Sequence, residues 1–257
     1  MEHSISALIL AGGRGTRMGR VDKGLQPFRG GTLASHVLQR LAPQVASVTI
    51  NANRNQGAYS ALGVDVLPDE LEGYEGPLAG LQTGLRHCAT ELLLTAPCDS
   101  PFLPADLAQR LYDALHAQGA DLAVAATLET DEAGNTHTQL HPVFCLVRKS
   151  ALPALDAYLQ TGARKMDGWY KSIKVAEVLF NDAAAFRNIN TLAELQKEEE
   201  AAANPSLKDV ASCLASYDPD ALPVRHAQRI IREFIQPVRG VEKVALRTGW
   251  TACWRPM

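Results

Sequence analysis

The 257-residue chain has no apolar run approaching the roughly 18 residues that cross a membrane as a helix. It has no C-x-x-C pair: Cys88, Cys98, Cys145, Cys213 and Cys253 are scattered and odd in number, which argues against both a zinc site and a disulfide framework. It lacks a basic excess, and a net charge of −3 gives no sign of a nucleic-acid surface. Met1-Glu2-His3-Ser4 lacks the basic region and long apolar core of a signal peptide. The expectation is a cytoplasmic protein with reduced thiols, binding neither nucleic acid nor membrane. With 46% hydrophobic residues it can bury the core of one domain of about 200 residues, with a further segment besides.

Two common phosphate-binding fingerprints are missing as well. A P-loop needs G-x-x-x-x-G-K-[ST], and the nearest match, Gly19 to Gly24, is followed by Leu25. A dinucleotide fingerprint needs G-x-G-x-x-G, and after Gly13 and Gly15 its last slot falls on Met18. What stands there instead is an apolar strand, Ala7–Leu10, running into Ala11-Gly12-Gly13-Arg14-Gly15-Thr16-Arg17-Met18-Gly19-Arg20-Val21-Asp22-Lys23. Glycines let backbone N–H groups turn toward a ligand, and arginine and lysine bring the charge that a polyphosphate needs. The loop reads as a cradle for a nucleoside triphosphate.

Strand-like runs at Ala7–Leu10, Ser47–Ile50, Val64–Leu67, Leu92–Thr95, Leu122–Ala126, Pro142–Val147 and Val175–Leu179 alternate with helical patterns. Those patterns lie near Leu33–Leu41, Leu78–Cys88, Pro104–His116, Ala151–Leu159 and Leu192–Glu200. Such alternation argues an α/β layer fold with a largely parallel sheet, and the polar stretch Glu129–Thr138 reads as a hairpin or exposed loop on it.

Several positions carry chemistry, each with a plainer alternative. Asp99 follows the apolar run Leu92–Ala96, held between Pro97 and Pro101; it suits a Mg²⁺ ligand, or a helix N-cap. Asn51 and Asp69 each follow a strand, as turn formers or as nucleotide contacts. Gly76-Pro77-Leu78-Ala79-Gly80 opens a helix with Pro in its first turn. Asn188-Ile189-Asn190-Thr191 precedes another helix, which Asn190 or Thr191 would cap. His141-Pro142 and Arg164-Lys165 are either anion contacts or surface residues.

The pattern L-A-G-G-x-x-x-R-M-G-x-x-D-K, met here from Leu10 to Lys23, resembles the signature of the molybdenum cofactor guanylyltransferases, and the resemblance covers about residues 5 to 199. It implies a three-layer α/β/α, Rossmann-like nucleotidyltransferase fold with a mostly parallel sheet and the nucleotide at the C-terminal strand ends. It also implies transfer of GMP from GTP to the phosphate of molybdopterin, with release of pyrophosphate. By this resemblance Leu10, Ala11, Gly12, Gly13, Lys23, Asn51, Asp69, Gly80 and Asp99 meet the nucleotide, and Asn188 and Asn190 lie beside the metal and the pterin phosphate. Arg17 and Lys23 offset phosphate charge, and Asp99 holds Mg²⁺. GTP and molybdopterin are the implied substrates, with other molybdenum cofactor biosynthesis proteins and the cofactor-accepting apoenzyme as candidate partners. Ala11-Gly12-Gly13 looks more like the guanylyl branch than the cytidylyl branch, which tends to carry Ala-Ala-Gly. The other readings are a cytidylyltransferase on the same pterin, a sugar-1-phosphate nucleotidyltransferase, and a catalytically silent scaffold for cofactor assembly.

Composition breaks at Lys197–Pro205, giving an expected nucleotidyltransferase domain over 1–200 and a linker with a truncated extension over 201–257, partly disordered. Residues 205–257 hold eight Lys and Arg against five Asp and Glu, the reverse of the body's balance. Stretches within 205–247 resemble the start of a molybdopterin molybdenumtransferase. Thr248–Met257 departs from that pattern, as a shifted reading frame of a fused or adjacent gene would.

Overall fold

The computed structural model describes residues 5–11, 22–71, 76–131 and 134–203. The expectations for Gly12, Gly13 and Arg17, and for the extension beyond 203, lie outside the described residues. By its internal contacts the chain divides after Glu200, and the unit Met1–Glu200 holds the sheet.

The chain order is β1 (Ile5–Leu10), β2 (Pro27–Phe28), β3 (Gly31–Thr32), α1 (Leu33–Leu41), β4 (Ser47–Asn51), α2 (Gln56–Ser60), β5 (Asp65–Leu67) and α3 (Pro77–His87). It continues with β6 (Leu92–Pro97), α4 (Leu107–Ala117), β7 (Leu122–Thr130), β8 (Thr136–Arg148), α5 (Leu152–Gln160), α6 (Met166–Tyr170), β9 (Val175–Phe180) and α7 (Leu192–Ala203). Seven strands form one sheet in the order β5-β4-β1-β6-β8-β7-β9. The pairs β1–β4, β1–β6, β4–β5 and β7–β9 are parallel, and β8 alone runs antiparallel to its neighbours β6 and β7. The hairpin expected near Glu129–Thr138 is the β7–β8 turn, where Asn135 and Asp131 exchange hydrogen bonds.

Alternation along each strand builds two core layers. Ile5, Ala7 and Ile9 of β1 and Leu92, Leu94 and Ala96 of β6 face one layer, against Val37 and Leu41 of α1, Tyr59 of α2 and Leu107, Leu111 and Leu115 of α4. Leu8 and Leu93 face the other, against Leu81 and Leu85 of α3, Leu155 of α5 and Trp169 of α6. A strand covered on both faces reads as a continuous apolar run, which is why Leu8-Ile9-Leu10 and Leu92-Leu93-Leu94 are legible without a polar alternation. Strand order reverses between β1 and β6, and a parallel sheet offers its ligand crevice at the carboxyl ends beside such a reversal.

Some expected boundaries move: β7 runs on to Thr130 and β8 begins at Thr136, beyond the expected Ala126 and Pro142. The helix expected from Pro104 begins at Leu107, after a turn in which Leu107 N–H reaches Pro104 O at 3.4 Å. The short helices α2 and α6 lack the length over which a 3.6-residue apolar period declares itself, and the sequence reading did not contain them.

Candidate functional site

The parallel strands β1, β4, β5 and β6 deliver their last residues to one edge of the sheet. Leu10 ends β1, and its carbonyl accepts from Cys98 N–H at 3.1 Å, so the chain leaving β6 stays beside the start of the glycine-rich loop. Ala11 N–H donates to Asn51 O at 2.8 Å, which ties the other side of that loop to β4.

Asp99 lies two residues beyond β6 and is buried. No helix starts at Pro101, since α4 begins at Leu107, so the N-cap alternative for Asp99 falls away. Lys23 Nζ stands 3.4 Å from Asp99 Oδ2 and donates to Asn190 Oδ1 at 2.6 Å. Three positions far apart in sequence therefore meet within one hydrogen-bonded group. Burial raises the Asp99 pKa, and the ammonium of Lys23 opposes that rise without cancelling it.

The segment bearing Asn190 is pinned to the segment bearing Asp99. Ile189 N–H donates to Asp99 O at 2.8 Å, and Ser100 Oγ donates to Asn188 Oδ1 at 2.6 Å. Thr191 takes the capping role: its Oγ1 accepts from Glu194 N–H at 3.1 Å, while Glu194 Oε2 accepts from Asn190 N–H at 2.7 Å. With Thr191 and Glu194 closing the start of α7, the Asn190 side chain is left for Lys23.

At the ends of β4 and β5 a second group forms around Asp69. Asn51, almost wholly buried, donates through Nδ2 to Leu67 O at 3.1 Å and to Asp69 Oδ1 at 2.8 Å. Asn53 donates to Asp69 Oδ2 at 2.7 Å and accepts from Asp69 N–H at 2.7 Å. Each carboxylate oxygen thus has an amide donor, and the carboxylate has one orientation. Gly80, in the first turn of α3, abuts this group: a Cβ there would lie 2.3 Å from Asn51 Oδ1 and 2.6 Å from Leu10 Cδ2. Asn53 and Ser100 were not singled out from the sequence. The clustered Asn51-Ala52-Asn53-Arg54-Asn55 was the available signal, since three side-chain amides after one strand exceed what a turn requires.

His141 and Arg164 have partners within the fold. His141 Nε2 lies 2.8 Å from Thr127 Oγ1, its ring stacks on Phe186 at 4.7 Å, and burial lowers its pKa, which favours the neutral imidazole. Arg164 donates to Leu159 O at 2.9 Å and Ala163 O at 2.8 Å, at the end of α5.

Among the described residues no cluster of three or more His, Cys, Asp or Glu is placed to hold a metal. One buried carboxylate still fits a hard divalent cation, because such ions keep a few protein oxygens and fill their shells with phosphate and water. Asp99 has the hard oxygen donors, and its 3.4 Å contact with Lys23 is long enough to be replaced.

The family model of the MobA-like NTP transferase domain matches residues 7–175. The molybdenum cofactor guanylyltransferase of Cupriavidus necator is 57% identical over 195 residues, spanning 76% of this chain and 96% of the relative. That of Acidovorax ebreus is 54% identical over 202 residues, spanning 77% and 96%. Among solved structures, the molybdopterin-guanine dinucleotide biosynthesis protein A of Archaeoglobus fulgidus superposes with a TM-score of 0.62 at 22% identity, covering 77% of this chain and 98% of that one. A CMP:2-keto-3-deoxy-manno-octonic acid synthetase complexed with CTP gives 0.61 at 12% identity, covering 79% and 99%. At those identities the structures speak for the fold, a nucleotidyltransferase three-layer sheet. The extent and identity of the sequence matches say more: this chain belongs to the MobA-like NTP transferases, in the family of the molybdenum cofactor guanylyltransferases.

Proposed function

We propose that the protein transfers GMP from GTP to the terminal phosphate of molybdopterin. An oxygen of that phosphate attacks the α-phosphorus of GTP, a new P–O–P bridge forms, and the bond to the β-phosphate breaks with release of pyrophosphate. The acceptor is already an anion, so no side chain need serve as nucleophile or strong base. Alignment and charge neutralisation carry the catalysis. The observation that bears most weight is the meeting of Lys23, Asp99 and Asn190 at the carboxyl edge of β6, in a chain with guanylyltransferase relatives of more than half identity.

In this reading Lys23 neutralises charge on the departing pyrophosphate, and Asp99 holds Mg²⁺. When bound, that ion polarises the α-phosphate and orients the leaving group. Asn190 keeps the Lys23 ammonium in place from the acceptor side. Asp69 reads the base. A carboxylate with fixed orientation accepts from two adjacent donors, which the N1–H and N2–H₂ edge of guanine offers, whereas cytosine has a single amino donor beside the acceptors N3 and O2. Gly12, Gly13 and Arg17 extend the phosphate cradle. The pathway's other proteins and the apoenzyme that takes up the finished cofactor are the natural partners, and the cytoplasm the natural compartment.

The deciding experiment is pyrophosphate release from the full chain with molybdopterin and either GTP or CTP. Turnover with GTP at least about 100-fold above CTP is expected, a lower bound below the roughly 10⁴-fold that a site built to hydrogen-bond its substrate can reach. Equal or greater turnover with CTP would assign the chain to the cytidylyl reaction, and none with either would leave the scaffold reading.

Gly80→Ala tests the close approach of α3 to the base-reading group. The added methyl must displace Asn51 or Leu10, an overpacking cost of about 1–3 kcal/mol. That corresponds to a fall in Tm of several degrees, at about 2–4 °C per kcal/mol for a protein of this size. KM for GTP should rise with it, because Asn51 also orients Asp69. Unaltered Tm and KM would show that the contact relaxes freely.

A further inference from the structure

Lys23 is followed by a tight turn in which Gln26 N–H donates to Lys23 O at 3.1 Å and Ala34 N–H donates to Gly24 O at 2.9 Å. Gln26 Nε2 closes the same turn on Asp22 O at 3.0 Å. The bond from Ala34 ties the turn to the start of α1. The carboxylate that precedes Lys23 is held separately, from the segment of α2, the short helix between β4 and β5. Tyr59, wholly buried, donates its phenol to Asp22 Oδ1, and Asn55 Nδ2 donates to Asp22 Oδ2 at 3.0 Å. The turn also lies hard against the phenol: a Cβ on Gly24 would come within 2.5 Å of Tyr59 Oη and 3.1 Å of Cys98 Cβ. One residue after Asp22, the Lys23 ammonium reaches Asp99 and Asn190.

We infer that Tyr59 and Asn55 are positioning residues for Lys23, acting through the carboxylate of Asp22. The inference rests on the reading of Lys23 as the group that neutralises the leaving pyrophosphate. A carboxylate held at both oxygens by donors on one rigid element has no rotational freedom left, and the backbone that carries it is fixed with it. Burial pushes the phenol's pKa well above its usual value, so Tyr59 remains a donor over the whole working range of pH. A structural tyrosine has simpler ways to satisfy its hydroxyl than the acid adjacent to the phosphate-binding lysine. The stretch Asn55–Tyr59 thus links the β4–β5 connection to the chemistry, although it contributes no group to it.

The test separates positioning from support of the fold. Tyr59→Phe, nearly isosteric, should lower kcat for pyrophosphate release from GTP and molybdopterin by about tenfold or more, the scale on which small misplacements of a catalytic group act. KM for GTP should change far less. In a Lys23→Ala background the same substitution should cost nothing further, because its effect passes through Lys23. Asp22→Ala removes the acceptor that both Tyr59 and Asn55 meet, and should lower kcat likewise.

Unchanged kcat in Tyr59→Phe or in Asp22→Ala, or additive losses with Lys23→Ala, would each overturn the inference. A silent Lys23→Ala would be a different failure: it would remove Lys23 from the reaction, and the proposed chemistry of this site with it.

Discussion

Asp99→Asn should lower GMP transfer by about 10³-fold or more, while the nucleotide-free protein becomes no less stable at neutral pH than its parent. In the proposed function Asp99 is the anionic ligand for the divalent ion, whose charge stabilisation at a transferring phosphoryl group is worth several kcal/mol, and each 1.4 kcal/mol is about tenfold. The stability follows from the sign of the pKa shift. Burial raises the Asp99 pKa from its usual 3.8, and the nearby ammonium only partly offsets that. A carboxyl whose pKa is higher folded than unfolded prefers its protonated form in the native state. Ionised Asp99 therefore costs stability, in full above the folded pKa and not at all below the unfolded value near 3.8. Asparagine removes that cost. Without nucleotide and metal, the variant's Tm should match or exceed the parent's at pH 7, and the gap should close as pH falls into the acidic carboxylate range. Ordinary Mg²⁺-dependent turnover in the variant would remove Asp99 from the metal site. A clear loss of Tm at pH 7 would show that the Lys23 pair outweighs the desolvation.

The proposed metal-holding role gives a reason for a destabilising group at this position. The same burial that disfavours the ionised carboxylate excludes water that would screen it, so a cation arriving with the triphosphate meets a strong and directed charge. Among the described residues no group of three or more His, Cys, Asp or Glu forms a protein-only metal site. The arrangement suits an ion that enters and leaves with its nucleotide.

Much of this was legible in the sequence, and the illegible parts share a cause. β1 and β6 announced themselves as unbroken apolar runs, while the residues just past their ends, Ala11 and Asp99, took their expected roles from the family resemblance, Asp99 being open locally to a helix N-cap. α1 was expected at Leu33–Leu41 and is found at Leu33–Leu41, with Thr32 and Ser35 forming the capping box. What sequence spacing cannot carry is the long-range pair. Lys23 and Asn190 are 167 residues apart, and only the closed sheet brings them to 2.6 Å. Asn190 was weighed as a helix cap or an acceptor contact; the structure gives the cap to Thr191 and leaves Asn190 on the lysine. Tyr59 was overlooked for a related reason. In a five-residue helix, one buried aromatic reads as packing, and nothing local tells that its hydroxyl meets Asp22, 37 positions earlier.

Lys23→Ala should reduce kcat/KM for GTP by about 10²–10³-fold, the range measured when one preorganised donor to developing charge is removed. Most of the loss should fall on kcat, because charge on the leaving pyrophosphate grows toward the transition state. Lys23→Arg should not restore it. The ammonium is a compact charge held between Asn190 Oδ1 at 2.6 Å and Asp99 Oδ2 at 3.4 Å. A guanidinium is broader and planar, and it prefers to engage a carboxylate through two parallel bonds. Arginine would therefore pair more tightly with Asp99 and compete with the metal that the proposed function gives to this carboxylate. The alanine and arginine variants should then differ in metal response. Raising Mg²⁺ should recover part of the arginine variant's activity, because there the ion has a competitor to displace. It should leave the alanine variant nearly unchanged, since its missing charge lies at the phosphates and not at the metal. Equal activity of the arginine variant and the parent would show that any cation suffices at this position, and that the 2.6 Å bond to Asn190 does not govern where the charge sits.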